Sequence, residues 1–159
     1  TCHRAENTDN PDSLKEILEA FSEINEIMPL IFSIHPRTKK LISRFNLTSF
    51  LKKFTVIDPL SFLDMVVLEQ KASVILTDSG GVQKEAFFYR TPCITLRDET
   101  EWVETVELGW NQIVGANKSK ICKAFRNREV HKNIKQTEPY GDGFTSERII
   151  KIINTKNII

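Results

Sequence analysis

The chain has 159 residues, 40% of them hydrophobic, enough for one globular domain with a core of its own. Its 22 basic and 21 acidic side chains nearly cancel, and no basic stripe with interleaved aromatics appears, which argues against a nucleic-acid groove. The longest apolar stretch, around Ile27 to Ile34, is too short to span a bilayer, so no membrane anchor is expected, and no cleavable leader is evident.

Thr1 is followed at once by Cys2-His3-Arg4, which reads as the end of a strand. We therefore expect a fragment whose first strand, and a further domain, lie upstream. Asn10-Pro11 is a helix start, a capping side chain followed by proline at the first helical position. Leu14, Ile17, Leu18, Phe21 and Ile24 then recur at helical spacing, predicting an amphipathic helix from about 11 to 27. Pro29 stops it, and Leu30 to Ile34 reads as a buried strand ending at His35-Pro36. A short helix near 37–45 and a loop lead to a strand over Phe54 to Ile57, and Leu60, Leu63, Val66 and Val67 mark the next helix.

Ser73 to Thr77 is the clearest buried strand, running directly into Asp78-Ser79-Gly80-Gly81 and a helix from about Val82 to Tyr89. A strand over Pro92 to Leu96, a helix over Val103 to Leu108, a strand over Asn111 to Val114 and a helix over Lys118 to Asn127 follow. A polar stretch to Gln136, with His131 read as solvent-exposed, precedes Tyr140-Gly141-Asp142-Gly143 and a closing helix over 144–157 carrying Ile149, Ile150 and Ile153. Apolar strands alternating with helices predict an α/β fold, a doubly wound parallel sheet covered on both faces. Cys2, Cys93 and Cys122 have no paired spacing, so reduced thiols and no zinc site are expected.

Ligands of such sheets bind beyond the carboxyl ends of the strands. At the Asp78 to Gly81 turn, two glycines allow close approach, and the helix behind them points unpaired N–H groups outward. The matching guest is a phosphate, with the Ser79 hydroxyl as a further donor; the plain alternative is a tight turn with no ligand. Glu85, one helical turn past Gly81, is placed to accept hydrogen bonds from ribose hydroxyls, or is an ordinary solvated glutamate. His3 and His35 fall at strand ends on the same side, as phosphate donors or proton carriers, or as polar loop residues. Arg97 follows another strand end, where it meets either an anion or a neighbouring Asp98 or Glu101. Trp102 and Trp110 read as core or as the wall of a cleft.

Five ordered motifs carry a resemblance. They are Thr1 to Asn7, Ile34-His35-Pro36, Thr77 to Ala86, Leu96 to Glu101, and Tyr140 to Gly143. Together they resemble the non-hydrolysing UDP-N-acetylglucosamine 2-epimerase family. The resemblance implies a two-domain glycosyltransferase-B-type fold with a sugar nucleotide between two Rossmann-like halves, this chain (1–159) being the C-terminal, UDP-holding half. It implies Ser79, Gly80 and Gly81 on the diphosphate, Glu85 on the ribose, His35 and Arg97 in the UDP site, and His3 as the functional histidine. Arg4 matches a position that touches a second, activating UDP-sugar in bacterial members. The implied chemistry inverts C2 of the sugar by eliminating and re-adding UDP, with no metal and no cofactor. The proton-handling carboxylates belong to the other domain, so this half alone is expected to be inactive. A cytoplasmic homodimer serving cell-surface polysaccharide synthesis is implied for the full-length enzyme.

The sequence departs from the familiar family form at Ala5, where an arginine is usual, and at Trp102-Val103, where Arg-Pro is usual. His35 to Thr38, Lys84 and Glu101 to Glu104 look closer to the branch acting on UDP-2,3-diacetamido-glucuronate. Two other readings stay open. One is a sugar transferase of the same fold, although its paired glutamates eight positions apart fail here, since Thr77 precedes Glu85 at that distance. The other is a non-catalytic UDP-binding remnant.

Overall fold

A computed structural model describes residues 1–128 and 139–155; His131 and most of the polar stretch around it lie outside the described residues. The chain opens with an extended Thr1 to Arg4, then a one-turn helix that the sequence did not announce, α1 (Ala5–Thr8). Helix α2 (Pro11–Ile27) begins as expected: the Asn10 side chain accepts from the backbone N–H of Asp12 and Ser13, satisfying two orphan donors of the first turn. Strand β1 (Ile31–Ser33), helix α3 (Pro36–Arg44), a 3-10 turn (Thr48–Lys52) in the expected loop, strand β2 (Thr55–Ile57) and helix α4 (Phe62–Lys71) follow. The second block runs β3 (Ile75–Thr77), α5 (Gly80–Phe88), β4 (Cys93–Thr95), α6 (Val103–Glu107), β5 (Asn111–Ile113) and α7 (Lys118–Arg126), and α8 (Thr145–Thr155) closes the chain.

All strand pairs are parallel, β1 with β2 in one ladder and β3, β4, β5 in that order in another. Thus an α/β, Rossmann-like arrangement is present, with short strands and their carboxyl ends on one side. One core serves both ladders. Leu14, Ile17, Leu18 and Phe21 of α2 and Ile121 and Phe125 of α7 are buried against Phe32, Ile34, Ile94 and Leu96. Phe21, Phe32 and Phe54 meet edge to face with ring centres 5.5–6.1 Å apart, the geometry that aromatic quadrupoles favour. Cys2, Cys93 and Cys122 are free and buried. Among the described residues no helix is long and apolar enough to cross a membrane.

The two ladders do not pair with each other. The Thr1 main-chain nitrogen donates to the Leu76 carbonyl at 2.8 Å, and the Thr38 hydroxyl donates to the Cys2 carbonyl at 2.7 Å. Residues 1–2 are therefore held between β3 and helix α3. Below them opens an apolar slot of about 350 Å³, lined by Phe21, Leu30, Phe32, Leu76 and Phe125 among others. Apolar spacing predicted helices α4 and α8 correctly, yet not their burial. Phe62, Leu63 and Val67 of α4, and Ile149, Ile150 and Ile152 of α8, are exposed.

Glu69 of α4 lines the same slot. It is only 2% exposed, and neither carboxyl oxygen has a hydrogen-bond partner among the described residues. Burial, aided by the charge of Glu85, pushes its pKa up from 4.5 to about 7. The folded state therefore binds a proton here that the unfolded chain releases above pH 4.5. This site's contribution to stability consequently falls as pH rises from about 4.5 to 7. Glu69→Met should gain melting temperature relative to the parent chain, by more at pH 8 than at pH 5. Thermal melts giving the same difference at both pH values would refute the buried-acid account.

Candidate functional site at the carboxyl ends of the strands

Asp78 follows the last residue of β3 and is wholly buried. Its carboxylate accepts from the backbone N–H of His3 (3.0 Å to each oxygen) and of Arg4 (2.9 Å), and from the Asn7 amide (3.1 Å). Asn7 also donates to the Leu96 carbonyl at 2.7 Å, tying α1 to the end of β4. A buried carboxylate is tolerated only where several N–H groups solvate it, and the backbone entering α1 supplies them. Asp78 thereby fixes the chain's first residues beside the turn at Ser79 to Gly81. Sequence reading quoted Asp78 within the turn but gave it no task.

The His3 ring stands on this base, with Nδ1 3.5 Å from an Asp78 oxygen and its ring centre 6.0 Å from that of His35. Burial lowers the His3 pKa and outweighs the opposing pull of Asp78, which favours the neutral ring. His35 sits at the start of α3, where Nδ1 accepts from the Arg37 N–H at 3.2 Å. That bond leaves the proton of a neutral ring on Nε2, a donor facing away from the helix. Arg37 in turn reaches Asp9, the Thr8 hydroxyl (3.2 Å) and the His3 carbonyl (3.5 Å), bracing α1 against α3.

Helix α5 begins beside these histidines. Ser79 occupies its cap position with extended backbone, yet its side chain makes no capping bond. The Ser79 amide donates to the Thr77 hydroxyl at 3.0 Å, and within α5 the Gln83 amide donates to the Ser79 carbonyl at 3.1 Å. The N–H groups of Gly80, Gly81 and Val82 precede it, and no acidic residue stands in the first turn. Uncapped amides at the positive end of a helix form a ready anion site.

The two glycines differ in what holds them. A Cβ on Gly80 would press on a Glu101 carboxylate oxygen at 3.3 Å and the Trp102 Nε1 at 3.5 Å, with an Arg4 guanidinium nitrogen 3.9 Å away. A Cβ on Gly81 would meet only the Ser79 hydroxyl, at 3.8 Å. Packing within the chain explains the first glycine and leaves the second unexplained.

Glu85 lies one turn along α5, half-buried, and its charge raises both Tyr89 and Glu69. Arg97, proposed from sequence to meet an anion, is buried with its guanidinium already engaged. It donates to Glu6 (2.9 Å) and to both oxygens of Glu101 (2.9 and 3.0 Å), as the local ion-pair alternative had it. Burial alone would lower its pKa, but the bonds and charge of Glu101 and Glu6 raise it overall. Its place is behind Glu101, bordering a polar cavity of about 310 Å³ with Glu6, Asn7 and Asp98. Arg4 is exposed, its guanidinium beside Gly80.

The tryptophans separate. Trp110 is buried, stacked near the Arg90 guanidinium at 5.8 Å. Trp102 lies against the turn at Ser79 to Gly81, its indole N–H donating to the Gly80 carbonyl at 2.7 Å. Lys84 packs its ammonium on the Trp102 ring at 4.3 Å and on Tyr140 at 4.6 Å, while the Tyr140 hydroxyl donates to Glu104 at 3.1 Å. Proximity of Glu104, after desolvation, pushes the Tyr140 phenol up to about 12. The sequence offered no signal for this cluster, because its members are up to 56 residues apart, from Lys84 to Tyr140.

The chain is similar to several known proteins. A UDP-N-acetylglucosamine 2-epimerase of Methanocaldococcus jannaschii is 51% identical over 160 residues, covering 96% of this chain and 43% of that protein. A UDP-2,3-diacetamido-2,3-dideoxy-D-glucuronate 2-epimerase of Pseudomonas aeruginosa is 45% identical over 155 residues, with the same coverage. The crystal structure of the M. jannaschii UDP-GlcNAc 2-epimerase in complex with UDP-GlcNAc and UDP superimposes with a TM-score of 0.86 at 49% identity. It covers 97% of this chain and 44% of that one. The chain thus spans less than half the length of the relatives it matches. Its fold is that of one Rossmann-like half of a glycosyltransferase-B-type architecture. The sequence profile described as UDP-N-acetylglucosamine 2-epimerase matches residues 1–154, and the chain belongs to that family.

Proposed function

We propose that this chain is the C-terminal, UDP-holding half of a two-domain UDP-N-acetylhexosamine 2-epimerase. The observation that carries this reading is the start of α5, where three successive amides and the Ser79 hydroxyl have no capping partner among the described residues. The diphosphate of a UDP-sugar rests there, with the His35 Nε2–H as a further donor. Glu85 accepts the ribose hydroxyls. The neutral His3 ring stands at the edge of the cleft, held by Asp78, and Arg97 serves indirectly by fixing Glu101. Arg4, exposed beside Gly80, is placed to meet the anion of a second sugar nucleotide.

The reaction inverts C2 by removing its proton as the anomeric C–O bond breaks and UDP leaves, then re-adding UDP as a proton is returned to C2 on the other face. Negative charge grows on the diphosphate as that bond breaks. Amides fixed in advance at a helix terminus stabilise the charge without reorganising, which lowers the barrier to leaving. Proton transfer at C2 falls to the other domain, so residues 1–159 by themselves hold UDP without inverting the sugar. The slot between β1 and β3 is suited to a further parallel strand entering from that domain. Full-length protein acts as a cytoplasmic homodimer on UDP-GlcNAc or its 2,3-diacetamido-glucuronate counterpart.

Isothermal titration with UDP and with uridine tests the site. Charge-assisted bonds to the diphosphate should make UDP bind at least tenfold more tightly. Equal affinities for the two ligands would remove the phosphate site.

A further inference from the structure

The peptide joining Gly80 to Gly81 is a rigid plane with a carbonyl at one edge and the Gly81 N–H at the other. Flanked by two glycines, such a plane has more freedom to tilt than any other in α5. Its carbonyl oxygen receives the Trp102 indole N–H at 2.7 Å, in addition to its place in the helix. A carbonyl has two lone pairs, so both bonds are accommodated. The indole cannot drift, because the Lys84 ammonium packs on its face at 4.3 Å and Tyr140 stands edge-on at 5.9 Å.

We propose that Trp102 is a positioning residue for the diphosphate: by holding the Gly80 carbonyl it sets the Gly80–Gly81 peptide plane and aims the Gly81 N–H. This rests on the phosphate reading of the α5 terminus and names a residue outside the turn itself. A bond to the carbonyl also polarises the same peptide unit, strengthening its N–H as a donor. The indole touches no ligand in this role. Its effect passes through one peptide group and is specific to whatever binds at that N–H.

Trp102→Phe keeps an aromatic face for Lys84 and drops the N–H. The expected result is a roughly tenfold loss of UDP affinity, with uridine affinity unchanged within about twofold. The Gly81 amide resonance should shift in the free variant, and its response to UDP should shrink. Should Trp102→Phe fold poorly, β-(3-benzothienyl)alanine at position 102 keeps the size of the ring and removes only the donor, with the same expected loss. Unchanged UDP affinity in these variants, or equal losses for UDP and uridine, would overturn the positioning role. A parent chain that itself shows no preference for UDP over uridine would instead sink the phosphate reading on which it stands.

Discussion

Gly81→Ala should make the chain more stable and nearly abolish its hold on UDP. Alanine stabilises a helical position over glycine by about 0.5–1 kcal/mol, because the unfolded chain has less freedom to lose. Nothing opposes that gain here: Gly81 lies in α5 without a positive φ, and an added Cβ would touch only the Ser79 hydroxyl at 3.8 Å. A rise in melting temperature of about 2 °C is expected for a chain of this size. On the proposed phosphate reading, the methyl group would crowd a diphosphate approaching the amides at the start of α5. Losing one or two charge-assisted bonds there costs about 3 kcal/mol, roughly a hundredfold in affinity. Differential scanning calorimetry and titration on one sample read both effects. A variant that binds UDP as well as the parent would mean that no ligand uses the space Gly81 keeps open.

Asp78→Ala should have the opposite signature, a large loss of stability. Three donors converge on that carboxylate, and truncation leaves the His3 and Arg4 amides unsatisfied at a buried place. Asn7 keeps its bond to the Leu96 carbonyl, and removing the acceptor from the other donors costs about 4 kcal/mol. Melting temperature should fall by about 10 °C. The damage should be local first: hydrogen exchange at His3, Arg4 and the α1 amides should accelerate well before that of α2 or β4. A variant that melts within about 2 °C of the parent, with protected His3 and Arg4 amides, would show that the contacts are incidental. Because His3 stands on Asp78 and α5 starts beside it, one side chain serves both fold and site.

The α/β class, the order of elements, and the turn at Ser79 to Gly81 were legible in the sequence. Each is written in local chemistry: apolar strands between periodic helices, Asn10-Pro11 as a cap, paired glycines after a buried strand. The ordered motifs from Thr1 to Gly143 pointed to the 2-epimerase family, and the profile match over residues 1–154 bears this out. Helix α1 escaped because four residues carry no period, and the amides leading into it, those of His3 and Arg4, are satisfied by Asp78, more than seventy residues away.

Contacts between distant segments were decided by tertiary structure alone. Arg97 has the sequence of an anion ligand, but Glu6 and Glu101 already occupy its donors. Glu69 looks like any helix glutamate, until burial without a partner pushes its pKa to about 7. Trp102 reads in the sequence as core or as the wall of a cleft, and only the folded chain brings its N–H to Gly80. Spacing along the chain records which residues share a strand or helix face, within about one turn. It does not record which carboxylate or indole will arrive from elsewhere to settle a buried charge or fix a peptide plane.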